Sequence, residues 1–294
     1  MILTACTLCP RQCGANRTKG ESGFCGAASD IVIGRYSLHM WEEPCISGKN
    51  GSGTVFFSYC TMKCVYCQNY AISTLHHGRY VSTDELSDIF LELQSQGAHN
   101  INLVTPTHYV PQIITALDRA KVHGLDIPIV YNTSGYERVE TLKMLDGYID
   151  VYMPDFKYWR NDFAKKYSSA PDYPKVVKEA IAEMARQVLP TRFEHGIMKR
   201  GLLVRHLLLP GFLYDAKKII DYLYSTYGDD VYISIMSQYT PLPHISHIPE
   251  LDRTVGRREY NVLCDYAARL GIKNAFVQDG EAAKESFIPD FYTD

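Results

Sequence analysis

The sequence predicts an α/β fold of six β-α units behind a loop-rich, cysteine-containing N-terminal segment. Three observations predict it. From Thr54 onward, apolar runs of strand length alternate with stretches of helical periodicity, the signature of a parallel sheet with helical crossovers. Before that point the chain is rich in cysteine, glycine and polar residues, shows little periodicity and ends in the glycine-rich SGKNGSG. The cysteines also fall into two groups, Cys6, Cys9, Cys13 and Cys25, then Cys60, Cys64 and Cys67, with only Cys45 and Cys264 standing apart.

Taken in order, strands are expected at TVFFS (54–58), INLV (101–104), IPIVY (127–131), IDVYM (149–153), LLVRHLLL (202–209) and VYISIM (231–236), with a last short one at NAFVQ (274–278). Ser82 and Glu85 form a capping box ahead of Leu86, Ile89, Phe90 and Leu93, which recur at helical spacing; each of the two capping side chains can satisfy an orphan backbone N–H. Further helices are marked by Ile113, Ile114 and Leu117, by Ile181, Met184, Ala185 and Val188, by Ile219, Ile220 and Leu223, and by Leu263, Tyr266, Ala267 and Leu270. The chain therefore divides into residues 1–52, a four-cysteine segment for a metal or cluster, and residues 53–294, the β/α unit. Six β-α units form either an open doubly wound sheet or a closed or partial barrel. In each case ligands bind beyond the carboxyl ends of the strands, so residues just after each strand are the functional candidates.

Composition excludes some functions. A formal charge of −3 over 294 residues provides no footprint for nucleic acid or an anionic membrane surface. No apolar run approaches the ~20 residues that span a bilayer, and the first residues carry no signal-peptide pattern. The expected compartment is the cytoplasm. There, nine cysteines, odd in number and clustered, read as metal or cluster ligands rather than a disulfide framework.

Cys60, Cys64 and Cys67 follow the first expected strand directly. A structural zinc site takes four protein ligands, and a cubane cluster normally takes four cysteines, so three leave one iron open. This C-x3-C-x2-C stretch, with Tyr66 just before its last cysteine, resembles the radical S-adenosylmethionine (SAM) superfamily. WEEPCISG, GSGTVFFS, CVYCQNYAIS, VTPTHYVPQI, YNTSGY, MPDFKY and LLLPG together look like its PflX-like branch, relatives of the enzymes that activate pyruvate formate-lyase. The resemblance implies a partial (β/α)6 barrel of radical SAM type. It implies a [4Fe-4S] cluster on Cys60, Cys64 and Cys67, with SAM on the open iron. Reductive cleavage of SAM then leaves a 5'-deoxyadenosyl radical that takes hydrogen from a substrate, which for an activating enzyme is a protein glycine. A small-molecule substrate and a non-catalytic zinc or iron-sulfur protein are the alternatives. Flavodoxin or ferredoxin is the implied electron donor, and a glycyl-radical enzyme or a peptide the implied partner.

Site residues follow from strand ends and from the resemblance. Tyr66 is placed to contact adenine. Thr105-Pro106-Thr107 stands where relatives carry Gly-Gly-Glu for SAM's amino group; the carboxylate is missing, and hydroxyls and carbonyls of Thr105 and Thr107 are the remaining acceptors. Asn132 and Ser134 follow the third expected strand, where relatives contact SAM. Asp155 and Lys157 match the D-x-K of activating enzymes, with the carboxylate able to bind a cation and the lysine able to neutralise SAM's carboxylate. Arg205 lies among LLV and LLL and must face a lumen, solvent or a counter-charge. Gln238, with Tyr239, is expected to shape the adenosine pocket. Cys6, Cys9, Cys13 and Cys25 complete a coordination sphere unaided, for a second [4Fe-4S] cluster or for zinc. Cys45 and Cys264 are expected to be buried passengers, and His76, His77, His244 and His247 solvated loop residues.

Overall fold

The computed structural model describes residues 2–277 and Phe291. In chain order it contains β1 (Ile31–His39), α1 (Pro44–Ser47), β2 (Ser52–Phe57), α2 (Tyr70–Ser73), β3 (Arg79–Val81), α3 (Thr83–Ser95), β4 (Ile101–Val104) and α4 (Val110–Val122). These are followed by β5 (Ile129–Thr133), α5 (Val139–Met144), β6 (Val151–Pro154), α6 (Asn161–Ser168), α7 (Tyr173–Val188), β7 (Arg192–Glu194), β8 (Ile197–Leu207), α8 (Leu213–Tyr227), β9 (Tyr232–Met236), α9 (Arg257–Leu270) and β10 (Ala275–Val277). The strands expected from the sequence are present, INLV unchanged as β4 and the others with shifted ends. Pro128 has no N–H to give to a ladder, so β5 starts at Ile129 and runs on to Thr133. The expected last strand keeps Ala275–Val277, and its Gln278 lies outside the described residues.

Strand order is β10-β9-β8-β6-β5-β4-β2-β1-β3. From β2 to β10 the neighbours on this path are parallel and follow one another in sequence. A doubly wound sheet reverses its order at a switch point; this one does not. Right-handed crossovers that all advance in one direction place their helices on one face, as in a barrel, and β3 and β10 remain as edges. The fold is an open, partial β/α barrel.

Alternation along the strands separates its two faces. Leu103, Tyr131, Tyr152, Val204 and Ile235 face outward into the main core with Leu86, Phe90, Ile113, Ile181, Ile219 and Leu263 of the helices. Leu86, Phe90 and Leu93 of α3 are fully buried, each contributing roughly 1.5–3 kcal/mol. The Ser82–Glu85 capping box is formed in both directions and adds about 1 kcal/mol. On the concave face Val130, Val151, Met153 and Leu203 pack against Cys45 and Ile46 of α1, while Phe56 and Val104 pack against Ile72 and Phe291.

Two regions differ from expectation. β1 pairs antiparallel with both β2 and β3, so residues 31–39 belong to the sheet, and a division at residue 52 falls where β2 begins. The cysteines and glycines around it hide this strand in the sequence. β7 and β8 form a hairpin whose two turn residues, His195 and Gly196, both have positive φ (51° and 81°), the geometry that suits strand twist in a two-residue loop.

Candidate active site at the carboxyl ends of the strands

The loop after β2 carries Cys60, Cys64 and Cys67, and its backbone is strained. Tyr59 and Lys63 have φ of 73° and 52°, as does Thr105, at 60°, after β4. For non-glycine residues such conformations cost of order 1–3 kcal/mol each and collect at functional sites. Hydrogen bonds hold the sulfurs from outside. The Met62 N–H donates to Cys60 Sγ at 3.4 Å, the Ser73 hydroxyl to Cys67 Sγ at 3.4 Å and the Ser168 hydroxyl to Cys64 Sγ at 2.9 Å. Arg11 Nε donates to the Thr61 carbonyl at 3.1 Å, and Val65 N–H to the Tyr167 carbonyl at 2.9 Å. His244 is not a solvated loop residue: its ring lies 4.2 Å from that of Tyr70, stacked on it, and its Nε2 donates to the Val65 carbonyl at 2.8 Å.

Burial, then the neighbouring cysteines, pushes the Cys67 thiol up to about 12, and burial followed by Cys64 raises Cys60. A positively charged group beside them, Lys157 or a metal centre, favours the thiolates. Among the described residues, no three His, Cys, Asp or Glu side chains converge on a single ion. A four-iron cluster instead takes one thiolate per iron, spread about its body. Three soft sulfurs, each accepting from an N–H or O–H, fit that group.

Beneath the loop, ion pairs cross the concave face. Lys157 Nζ sits 2.6 Å from Asp155 Oδ2, Arg205 Nε 3.0 Å from Asp155 Oδ1, and Arg205 Nη1 3.1 Å from Glu42 Oε2. Arg205 Nη2 also donates to Asn132 Oδ1 at 2.7 Å, and Asn102 and Asn132 donate to Glu42 Oε1 at 3.0 and 3.3 Å. Burial works to lower the Lys157 ammonium, but Asp155 and then Cys64 hold it above its ordinary range. Asp155 is pushed up by burial, and Lys157 and Arg205 outweigh this to leave it lowered. Asp155 is thus not open to an added cation, because the chain supplies two of its own. Arg205 faces the lumen and its counter-charges there, two of the three placements its sequence context allows.

Sequence reasoning missed Glu42 and Glu43. They lie in the WEEP loop between β1 and α1, which folds onto the concave face because Cys45 and Ile46 bury there. The signal available was Arg205 itself, a buried cation whose counter-charge had not been named.

The residues expected to hold SAM are placed as follows. Thr105 stands at the end of β4 with its N–H on the Asn132 carbonyl, at 2.9 Å. Thr107 is buried, and its hydroxyl donates to Glu137 Oε1 at 2.6 Å, which leaves its oxygen able to accept. Asn132 is held between Arg205 and Glu42. The Ser134 carbonyl accepts from Tyr173, whose hydroxyl also donates to the Asp155 carbonyl and accepts from Lys157 N–H, at 2.7–2.9 Å. Tyr66 is buried against Tyr158 and Tyr239, its hydroxyl accepting from Tyr158 at 2.7 Å, which makes it a support of the cysteine loop. The Gln238 carbonyl accepts from Gln68 at 3.0 Å, next to Cys67.

The N-terminal cysteines interact in pairs, Cys9 with Cys25 and Cys6, and Cys25 with Cys6 and Cys13, with no three of them converging on a single ion. Cys6, Cys9 and Cys25 are buried and Cys13 is exposed. Burial, opposed by a backbone donor and reinforced by Cys25 and Cys6, pushes Cys9 up to about 12. The segment is pinned by Arg138 on the Thr7 carbonyl, Thr141 on the Leu8 carbonyl and Arg17 on the Ala28 and His108 carbonyls. Cys45 is buried among apolar neighbours, as expected of a passenger.

Residues 54–223 match the Radical SAM superfamily. The chain belongs to that superfamily. Membership implies a [4Fe-4S] cluster and SAM, and the open sheet is the corresponding partial barrel. An uncharacterized protein of Methanocaldococcus jannaschii is 27% identical over 282 residues, which is 92% of this chain and 76% of that one. Streptococcus suis SuiB superposes with a TM-score of 0.51 and 12% identity, both bound to its precursor peptide SuiA and bound to SAM, over 76% of this chain. Those alignments cover 47% and 49% of the SuiB chains, so the radical SAM chain described here spans about half of SuiB's length, and the likeness is one of fold. Among the described residues, no helix is long and apolar enough to cross a membrane.

Proposed function

We propose that this chain is a radical SAM enzyme in which Cys60, Cys64 and Cys67 hold the [4Fe-4S] cluster and the carboxyl ends of β4, β5, β6 and β8 hold SAM and substrate. The observation that carries the reading is the strained three-cysteine loop at the end of β2, with an N–H or O–H donor on every sulfur. When bound, cluster and SAM supply one electron and a hydrogen-abstracting 5'-deoxyadenosyl radical.

The chain's own groups do the rest. Lys157 places a positive charge beside Cys64 and Cys67, where it offsets the negative charge of thiolates and of SAM's carboxylate. Asp155 and Arg205 fix the ammonium's position, since each is anchored by further partners. Tyr66, Tyr158 and Tyr173, all buried, exclude water beneath the loop. Tyr66, Thr105, Thr107, Asn132, Ser134 and Gln238 are the candidates to touch SAM. The segment with Cys6, Cys9, Cys13 and Cys25 is read as a second centre, a [4Fe-4S] cluster or zinc.

The PflX-like resemblance supports hydrogen abstraction from a protein or peptide, a glycine in the activase reading, with flavodoxin or ferredoxin as reductant and the cytoplasm as the site of action. The concave-face cavity of about 430 Å³ favours a second reading, a small molecule or single side chain as the group acted on. Anaerobic reconstitution followed by SAM and dithionite should yield 5'-deoxyadenosine, and Cys64→Ala should abolish it. A protein that binds only zinc and forms no 5'-deoxyadenosine refutes the proposal. Deuterium transfer from labelled candidate substrates into 5'-deoxyadenosine identifies the donor.

A further inference from the structure

The concave face holds a cavity of about 430 Å³ between the WEEP loop and strands β8 to β10. Its wall is soft and aromatic, with Trp41, Met236 and Phe276, and Glu42, Glu43 and Arg205 supply its charge. Glu43 is only 8% exposed. Ser234 hydrogen-bonds to its carboxylate, yet among the described residues Oε2 has no partner. A buried acceptor left unsatisfied costs about 1–3 kcal/mol, more when charged, so this oxygen has a place for a donor that the described residues do not supply.

Charge identifies the donor. The network contains two cations, Lys157 and Arg205, against three carboxylates, Asp155, Glu42 and Glu43. Arg205 is already engaged by Asp155, Glu42 and Asn132. With all three carboxylates ionised one negative charge is left over, and it lies on the side of the orphan oxygen. Burial pushes the Glu43 carboxyl up, with Arg205 opposing, so an entering cation would recover what ionising it costs. Aromatic and thioether groups suit both a cation and the alkyl stem behind it.

We propose that this cavity is a substrate site selecting a protonated alkylamine, with Glu43 receiving the ammonium and Trp41, Met236 and Phe276 lining the stem. This deepens the reading of the chain as a radical SAM enzyme by naming a substrate class. The ion-pair series from the cysteines to Lys157, Asp155, Arg205 and Glu42 sets Glu43 at the end away from the cysteine loop. Gln238 lines the same cavity and touches Gln68 beside Cys67. An amine anchored at Glu43 therefore extends its carbons toward the loop where hydrogen is abstracted. A lysine side chain of a peptide and a free amine share this chemistry.

The test is anaerobic titration calorimetry of the cluster-loaded protein with pentylamine, 1-pentanol and N-acetyl-lysine methylamide, for the wild type and Glu43→Gln. Wild type should bind pentylamine roughly 10- to 150-fold tighter than pentanol, the range a charge-assisted hydrogen bond commands, and Glu43→Gln should bring the ratio below about threefold. Tighter binding of the lysine derivative than of pentylamine assigns a peptide source, and the reverse a free amine. The wild-type ratio needs no variant, and a ratio near one overturns the inference. So does a preference that survives Glu43→Gln. A loss of SAM affinity equal to the loss of pentylamine affinity assigns Glu43 to SAM and also overturns it. Amine selectivity without 5'-deoxyadenosine formation would sink the proposed reaction and leave this site standing; 5'-deoxyadenosine without selectivity does the opposite.

Discussion

Replacing Arg205 with methionine should cost about 3–5 kcal/mol of stability, the range for breaking a buried ion pair from one side. Its guanidinium makes hydrogen bonds of 3.0 Å to Asp155, 3.1 Å to Glu42 and 2.7 Å to Asn132, and the three charged side chains are only 9–17% exposed. Summing charge-assisted bonds at ~1.5–3 kcal/mol each would overshoot. Asp155 keeps Lys157, and Glu42 keeps Asn102 and Asn132, so only part of each carboxylate is orphaned. Adding Glu42→Gln to Arg205→Met removes one stranded charge and should recover roughly 1–3 kcal/mol. Burial already pushes the Glu42 carboxyl up, and Arg205 is the first group pulling it back. Without Arg205 the carboxyl takes up a proton more readily, so the variant's deficit should be smaller at pH 5 than at pH 8. Equilibrium urea unfolding under argon, read at constant slope, measures all three quantities. A deficit below about 1 kcal/mol, or costs of the two substitutions that add within ~0.5 kcal/mol, would show that the network does not couple as drawn.

Glu137 is buried and pushed up to about 7 from 4.5, chiefly by burial. Its stabilising contribution is therefore present below pH 4.5 and lost as pH rises through 7, a swing of roughly 3 kcal/mol. Glu137→Gln should abolish that part of the pH profile, and a wild-type-minus-variant difference that stays flat from pH 5 to 8 contradicts the assignment. Ser168→Ala removes the 2.9 Å donor to Cys64 Sγ. A hydrogen bond of ~0.5–1.5 kcal/mol that favours the more negative state should then be missing, lowering the cluster potential by roughly 20–65 mV; an unchanged potential in a spectroelectrochemical titration removes Ser168 from the ligand environment. Gly135 has φ of 76°, and an added Cβ would lie 2.5 Å from the Asp155 carbonyl oxygen and 2.8 Å from Val177. Gly135→Ala should cost about 1–3 kcal/mol in unfolding free energy, and a neutral result would mean that the β5 turn can move off Asp155.

Elements whose burial pattern is set by their own residues were readable. INLV coincides with β4, and the Ser82–Glu85 box caps α3 in both directions, because local hydrogen bonding and a two-residue or 3.6-residue period decide them without help from the rest of the chain. β1 was not readable. Its second half, from Arg35 to His39, is only partly buried, and it forms by pairing with β2 and β3, a non-local decision. Strand order was equally invisible: the same periodicity serves a doubly wound sheet, and only the monotonic order of β2 to β10 separates the two.

The candidate site shows the same division at the level of single residues. Three cysteines within one loop announce themselves by spacing, but one of Arg205's two carboxylate partners comes from a segment 163 residues earlier. Arg205 among leucines and valines could be recognised as needing a counter-charge, since a cation in an apolar strand is prohibitively costly without one. The WEEP loop could be recognised as two acids beside an aromatic and a proline. What joins them is α1: Pro44 opens a single helical turn, and Cys45 and Ile46 bury against Val130, Val151 and Leu203. That contact draws the two preceding acids onto the concave face. Among the described residues Glu42 is satisfied there and Glu43 Oε2 is not. An apolar anchor thus fixes the position of an unsatisfied carboxylate. The Glu43 cavity consequently depends on the burial of Cys45, a residue that spacing alone marks as a passenger.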